Sequence, residues 1–276
     1  MKRIATIQDI SCFGKCSITV SLPVISAMGV ECAIVPTTVL STHTCGFSGY
    51  TICDISDQLL PIAEHWKKEG IELDTLYTGY LANETQINDT IKFIELTKNE
   101  NTLVFVDPAM ADHGKLYPGF PADFPSKMLK LVKIADIVCP NITEASLLLG
   151  KNFKNEGEYD EEYIKELVDG FLAFGIKKVV ITGVKYGDGR HGALAYDSEI
   201  GEYRYLYGKN FDCSFHGTGD IFSSVLCGAL TRGNDVYSAT QQAVDFTIAC
   251  IEQTYPDREN HSYGVKFEEC LHLLSK

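Results

Sequence analysis

Short apolar runs alternate with amphipathic segments along most of this 276-residue chain, and that alternation leaves few folds open. The runs fall at 3–8, 33–36, 76–78, 102–106, 135–139 and 178–182. A run such as 102–106, apolar without interruption, suits a strand covered on both faces, the situation of parallel sheets flanked by helices. The segments between them supply those helices. Residues 55–69 and 161–174 end at Gly70 and Gly175, plausible helix stops, and 84–97 turns Ile87, Ile91, Ile94 and Leu96 to one side. Ser17 is placed to cap a helix through residue 28, and 235–254 and 267–274 predict one long and one short helix near the C-terminal end. Segments 193–196 and 203–207 flank Gly201 and predict an antiparallel ribbon at a sheet edge. No repeat, low-complexity tract or linker interrupts the pattern. The expectation is a three-layer α/β fold, mostly parallel, in one domain over residues 1–276.

A hydrophobic content of 45% suffices for a large core, and a formal charge of −13 disfavours wrapping nucleic acid or lying on an anionic membrane. A phosphate group would have to be held locally, by peptide dipoles and a metal ion. No run of roughly 18 apolar residues occurs, so no membrane span is expected. The apolar stretch after Lys2-Arg3 is too short for a signal core. Ten scattered cysteines without Cys-x-x-Cys pairs read as reduced thiols of a cytoplasmic protein. Cys12 and Cys16 lack a second pair or a nearby histidine and are not read as a metal site. Histidines 65, 113, 191, 261 and 272 show no ligand spacing and read as surface or core residues.

One pentapeptide stands out chemically: His216-Gly217-Thr218-Gly219-Asp220, followed at once by a helical apolar stripe of Ile221, Phe222, Val225, Leu226, Ala229 and Leu230. Two glycines permit a sharp turn and close approach, and the N–H groups opening the helix attract an anion. A carboxylate beside that cradle repels phosphate, so Asp220 suits a base aimed at a hydroxyl group. An acidic first-turn residue favoured by the helix dipole is the plainer alternative. Ligands of open parallel sheets gather at the strands' carboxyl ends. There the sequence collects Asp9, the hydroxyl-rich 37–46 stretch with Thr44, Tyr80, Asp107, Asp112, Asn141, Glu144 and the 216–220 turn. Asp107 and Asp112 would equally serve as turn residues, and Asn141 with Glu144 as a helix cap. Gly-x-Gly-x-x-Gly after the first strand and Gly-x-x-x-x-Gly-Lys-Ser/Thr are both absent, which argues against dinucleotide and P-loop sites.

In six pieces in a fixed order, the chain resembles the ribokinase-like superfamily and, within it, the pyridoxal/pyridoxamine (vitamin B6) kinases. The pieces are Ile7-Gln8, Ser41-Thr42-His43-Thr44, Thr78-Gly79-Tyr80, Asp107-Pro108 with Asp112, Pro140-Asn141-x-x-Glu144, and Gly217-Thr218-Gly219-Asp220. The resemblance implies phosphorylation of the 5′-hydroxymethyl group of a B6 vitamer by ATP. It implies Asp220 as base and Gly217, Thr218 and Gly219 as anion hole. Asp107, Asp112, Asn141 and Glu144 would organise Mg-ATP, with Asp107 and Glu144 on Mg²⁺ partly through water and Thr182 near the phosphates. His43, Thr44 and Tyr80 would line the vitamin pocket. A bound K⁺ or Na⁺ and a homodimer are implied in the same way.

Two departures matter. The family usually carries Ser-His after the glutamine, where this chain has Asp9-Ile10; in the serine's place, an ionised Asp9 accepts a hydrogen bond and favours a protonated ring. Cys213 sits where some relatives place a thiol over the substrate, although the plainer reading, and the one preferred, is a structural cysteine. The rivals are a hydroxymethylpyrimidine kinase of thiamine biosynthesis and a non-catalytic vitamin-binding regulatory protein. The first often carries a cysteine where this chain has Asp220.

Overall fold

The computed structural model describes residues 1–275. In chain order the strands are β1 (Arg3–Ser11), β2 (Glu31–Leu40), β3 (Ile52–Asp54), β4 (Thr75–Thr78), β5 (Leu103–Val106), β6 (Ala111–Asp112), β7 (Lys115–Leu116), β8 (Ile137–Val138), β9 (Lys178–Val184), β10 (Arg190–Asp197) and β11 (Glu202–Lys209). The helices are α1 (Ile18–Ala27), α2 (Leu59–Lys68), α3 (Glu84–Thr97), α4 (Phe124–Val132), α5 (Ile142–Leu148), α6 (Glu161–Leu172), α7 (Thr218–Thr231) and α8 (Val236–Thr254). The described residues build one nine-stranded sheet in the order β11-β10-β9-β8-β5-β4-β1-β2-β3, with β6 and β7 as a separate hairpin. The six inner strands from β9 to β2 run parallel. Antiparallel strands close both edges: β10 and β11 beyond β9, and β3 beyond β2.

The period of two along each strand divides the core. Ala5, Ile7, Leu76, Val104, Val106, Val138 and Ile181 face a layer formed by α2 to α6. Ile4, Tyr77, Phe105, Ile137 and Val180 face α1, α7 and α8. Strands buried on both faces must be apolar throughout, which is why their runs show no polar alternation. Among the described residues, no helix is long and apolar enough to cross a membrane.

Four differences from the sequence reading stand out. The first strand does not end at Gln8. It continues to Ser11, and the register with β2 slips between Gln8 and Ile10, so Asp9 sits at an irregularity inside the strand. β2 likewise extends beyond 33–36, the slip giving Pro36 a place in a paired strand. The segment between 107 and 135 holds the β6–β7 hairpin and α4, which opens with Phe124-Pro125 and buries Met128, Leu131 and Val132. The terminal 267–274 segment forms two 3₁₀ turns in place of one helix.

Candidate active site

A cavity of about 770 Å³ opens at the carboxyl ends of the parallel strands. The structure brings Asp9, His43, Thr44, Tyr80, Asp107, Asp112, Asn141, Glu144, Thr182, Cys213, Gly217, Thr218, Gly219 and Asp220 together on its wall.

The glycine turn forms its floor. Gly217 precedes α7 in the left-handed region (φ 77°), and a β-carbon there would lie 1.7 Å from the Lys15 carbonyl oxygen. Thr218 Oγ1 donates to the Phe215 carbonyl at 3.1 Å and locks the turn. The first helical bond runs from Ile221 N–H to the Gly217 carbonyl at 3.1 Å. Among the described residues the N–H groups of Thr218 and Gly219 have no backbone partner, leaving them free for an anion. Gly219 serves differently from Gly217, since a β-carbon there would meet nothing within 4 Å. Its missing side chain leaves space.

Asp220 follows in the first turn of α7, and among the described residues it forms no ion pair. Burial, then repulsion from Asp107 and Asp9, pushes its carboxyl up to about 8; the Ser17 main-chain N–H works in the opposite direction. One turn further on, Ser223 Oγ donates to Asp107 Oδ2 at 2.6 Å. The same helix therefore carries the candidate base and the anchor of the acid that ends β5. Burial pushes Asp107 up to about 7.

Asn141 and Glu144 do make the capping box of α5: Asn141 Oδ1 accepts from Glu144 N–H and Glu144 Oε2 from Asn141 N–H, both at 2.9 Å. They also brace the hairpin. Glu144 Oε1 accepts from Met110 N–H at 3.0 Å, Asn141 Nδ2 donates to the Ala111 carbonyl at 2.8 Å, and Gly114 N–H donates to Thr143 Oγ1 at 3.0 Å. Glu144 is 3% exposed, and burial followed by repulsion from Asp107 pushes its carboxyl well up. Asp112 is exposed and opens a two-residue turn in which His113 (φ 49°) and Gly114 (φ 75°) are both left-handed; its Oδ1 accepts the His113 N–H at 2.8 Å. Thr182 closes the row, its N–H donating to the Pro140 carbonyl at 2.9 Å.

On the other side of the cavity, Asp9 is 3% exposed and accepts from Ser11 Oγ at 2.9 Å and Ser17 Oγ at 2.5 Å. The capping role expected of Ser17 is thereby corrected: it occupies the position before α1, but its hydroxyl goes to Asp9 and makes no cap bond. His43 has both ring nitrogens engaged. Nδ1 accepts the Cys45 N–H at 3.2 Å, which puts the proton on Nε2, facing the Tyr263 carbonyl at 3.0 Å. It lines the cavity while tying the loop after β2 to the C-terminal segment. Tyr80 packs on Phe120 with ring centroids 5.5 Å apart, and burial raises its hydroxyl to about 12.

Sequence reasoning missed several lining residues. His113 and His191, read as surface or core, lie on the cavity wall, and burial lowers the His191 ring to about 4. Cys16 and Lys185 join them, as do Phe211 and, from α8, Val244, Ile248 and Ile251. The helical spacing of the α8 residues was visible, but a stripe facing a cavity and one facing a core look alike. Among the described residues no group of three or more His, Cys, Asp or Glu side chains is arranged to hold a metal ion by itself.

A mostly parallel sheet between two helical layers, with a glycine turn and acid at the start of α7, defines the ribokinase-like superfamily of small-molecule kinases. Within it the chain belongs to the phosphomethylpyrimidine kinase family, whose profile matches residues 6–264. It is similar to a candidate phosphomethylpyrimidine kinase from Bacteroides thetaiotaomicron VPI-5482, crystallised with pyridoxal. The two share 32% identity over 100% of this chain and 96% of that one, with a TM-score of 0.93. The pyridoxal kinase of Lactobacillus plantarum is 27% identical over 99% of this chain and 96% of that one, with a TM-score of 0.89. The pyridoxal kinase of Dictyostelium discoideum is 26% identical over 66% of this chain, and the match spans 63% of that relative's length.

Proposed function

We propose that this chain transfers the γ-phosphoryl group of ATP to the 5′-hydroxymethyl group of a B6 vitamer. The observation that carries the reading is the Asp220 carboxylate, which forms no ion pair among the described residues, standing beside two N–H groups without a backbone partner in a cavity shared with a row of buried acids. Similarity to pyridoxal kinases and to a pyridoxal-bound structure supports the choice of ring.

In this reading Asp220 takes the hydroxyl proton as the substrate oxygen bonds to phosphorus and the bond to the ADP oxygen breaks. The Thr218 and Gly219 amides hold the migrating group, which needs orientation and charge neutralisation more than covalent help. A base tuned close to working pH is efficient in this role, and the Asp220 carboxyl, pushed up to about 8, is so placed. The α8 face of Val244, Ile248 and Ile251 offers an apolar shelf for the nucleotide base.

Asp107 and Glu144 fit Mg²⁺ as hard oxygen donors, buried, mutually repelling and without a cation partner among the described residues. Glu144 has its oxygens on backbone N–H groups and would act through water, with Asp107 nearer the ion. Magnesium would supply neutralisation of phosphate charge. A monovalent cation near the anion hole, a single kinase domain, a homodimer and a cytoplasmic location belong to the same proposal.

The test is a panel of pyridoxal, pyridoxamine, pyridoxine and hydroxymethylpyrimidine with Mg-ATP, following phosphorylated product. At least one vitamer should be turned over with the highest kcat/KM. A preference for the pyrimidine would transfer the chain to the chemistry after which its family is named. Asp9 gives a second check. Its replacement by Asn should raise the vitamer KM about tenfold, the value of one charged hydrogen bond, with the KM for ATP unchanged. An unchanged vitamer KM would remove Asp9 from ring recognition.

A further inference from the structure

Past the row of acids the cavity continues toward the β10–β11 edge, where its wall changes character. In the sheet order, the strand carrying His191 lies three places beyond the one that ends before Asp107, about 14 Å at the usual strand spacing. α8 covers β10 and β11 there. His191 pairs directly with Gly208 of β11, and directly paired residues of antiparallel strands point to one face. That face is the one under α8. A β-carbon on Gly208 would lie 2.3 Å from Ile248 Cδ1 and 3.6 Å from Val244 Cγ1, and Ala193, two residues along from His191, packs in the same layer. On its other flank His191 has no strand neighbour. The β9–β10 pairing reaches no further than Gly192 with Val184, after slipping over Gly183 (φ 73°). The ring therefore has a glycine on one side and no paired residue on the other, and it lines the cavity with Val244, Ile248 and Ile251.

Among the described residues the His191 ring makes no hydrogen bond, and neither nitrogen is sealed from solvent. Burial, then the nearby Lys185, lowers the ring to about 4, so it offers one donor and one acceptor without charge. Such a group matches the edge of a heteroaromatic base better than a phosphate, whose strong partners are cations. We propose that His191 hydrogen-bonds the edge of the nucleotide base, while Val244, Ile248 and Ile251 of α8 cover its apolar face. The proposal rests on the reading of this chain as an ATP-dependent kinase.

Shape and hydrogen bonding are separable properties of the imidazole. His191→Phe keeps an aromatic ring, and His191→Gln keeps a donor and an acceptor. Wild type and both variants are compared in pyridoxal-dependent turnover, in calorimetric titration with Mg-ATP, and in competition between Mg-ATP and inorganic tripolyphosphate, with a thermal melt of each. His191→Phe should raise both the Kd and the KM for ATP by about 5- to 10-fold, the value of one hydrogen bond left unmade. Its kcat and vitamer KM should stay within about twofold of wild type. His191→Gln should bind ATP within about threefold of wild type. Tripolyphosphate has no base, and its inhibition constant should be equal in all three proteins within about twofold. The proposal is overturned if His191→Phe binds ATP as wild type does, or if Phe and Gln cost the same, which would leave only a role in shape. It is equally overturned if tripolyphosphate weakens as much as ATP, which would put the ring on the phosphates. Should His191→Phe fail to fold, His191→Leu, which also lacks hydrogen-bonding groups, takes its place. A wild type that binds no ATP and phosphorylates no vitamer would instead remove the kinase reading, and the inference with it.

Discussion

Replacing Asp220 with Asn is expected to lower turnover by about 10²- to 10⁴-fold, the usual loss on removing a general base, while ATP still binds. The same substitution should stabilise the empty protein at alkaline pH. Burial and the neighbouring acids hold the Asp220 carboxyl near 8 against its ordinary 3.8. Between about pH 4 and pH 8 the folded chain therefore keeps a proton that the unfolded chain releases, and stability from this group falls as pH rises through that window. Asn has no such proton. The melting temperature of Asp220→Asn should thus pull ahead of wild type as pH climbs, levelling off above about 8. Isothermal titration with ATP, a coupled assay and melts across pH provide the check. A variant keeping more than about a tenth of wild-type kcat would remove Asp220 as base, and a melting difference independent of pH would contradict its electrostatic surroundings.

The two glycines of the turn should fail in different ways. Gly217→Ala places a β-carbon 1.7 Å from the Lys15 carbonyl at a left-handed φ of 77°, so backbone must move. A loss of about 3 kcal/mol, roughly 10 °C in melting temperature, is expected, with activity falling alongside. Gly219→Ala meets no neighbour within 4 Å and exchanges a helical glycine for the best helix former. Its fold should be at least as stable as wild type, by up to about 1 kcal/mol. Its methyl group, however, enters the space between the free N–H groups and an incoming phosphate, and kcat/KM for ATP should drop by about 10²-fold, as when an oxyanion donor is lost. Equal melting temperatures for the two variants would overturn the geometric distinction, and an active Gly219→Ala would move the anion elsewhere.

Much of the fold was legible because the sheet is buried on both faces. Apolar runs mark its strands, and amphipathic periods mark helices such as α3, whose bounds at Glu84 and Thr97 match the expected 84–97. What escaped were elements too short to show a period: β3, β6 and β7, with three residues or fewer each. α4 was hidden by the prolines around it, at 118, 121 and 125. In the site, sequence gathered residues at strand ends and the structure places them around one cavity. It could not show how each group divides its bonds. Glu144 caps a helix and holds a hairpin, and His43 has its ring tied to Cys45 and Tyr263. Nor did composition reveal Cys16 as a lining residue, because the glycine turn with which it shares the cavity lies some 200 residues away along the chain.

The cavity's two sides come from different halves of the sheet. Asp9 lies in β1 and His43 and Tyr80 follow β2 and β4, whereas Asp107 and Asn141 follow β5 and β8 and Thr182 lies in β9, and α7 carries Asp220. On the proposed reading, the second side would hold the triphosphate and the alcohol would be selected by the loops of the first. Libraries confined to those loops offer a route to retargeting the enzyme to new heteroaromatic alcohols.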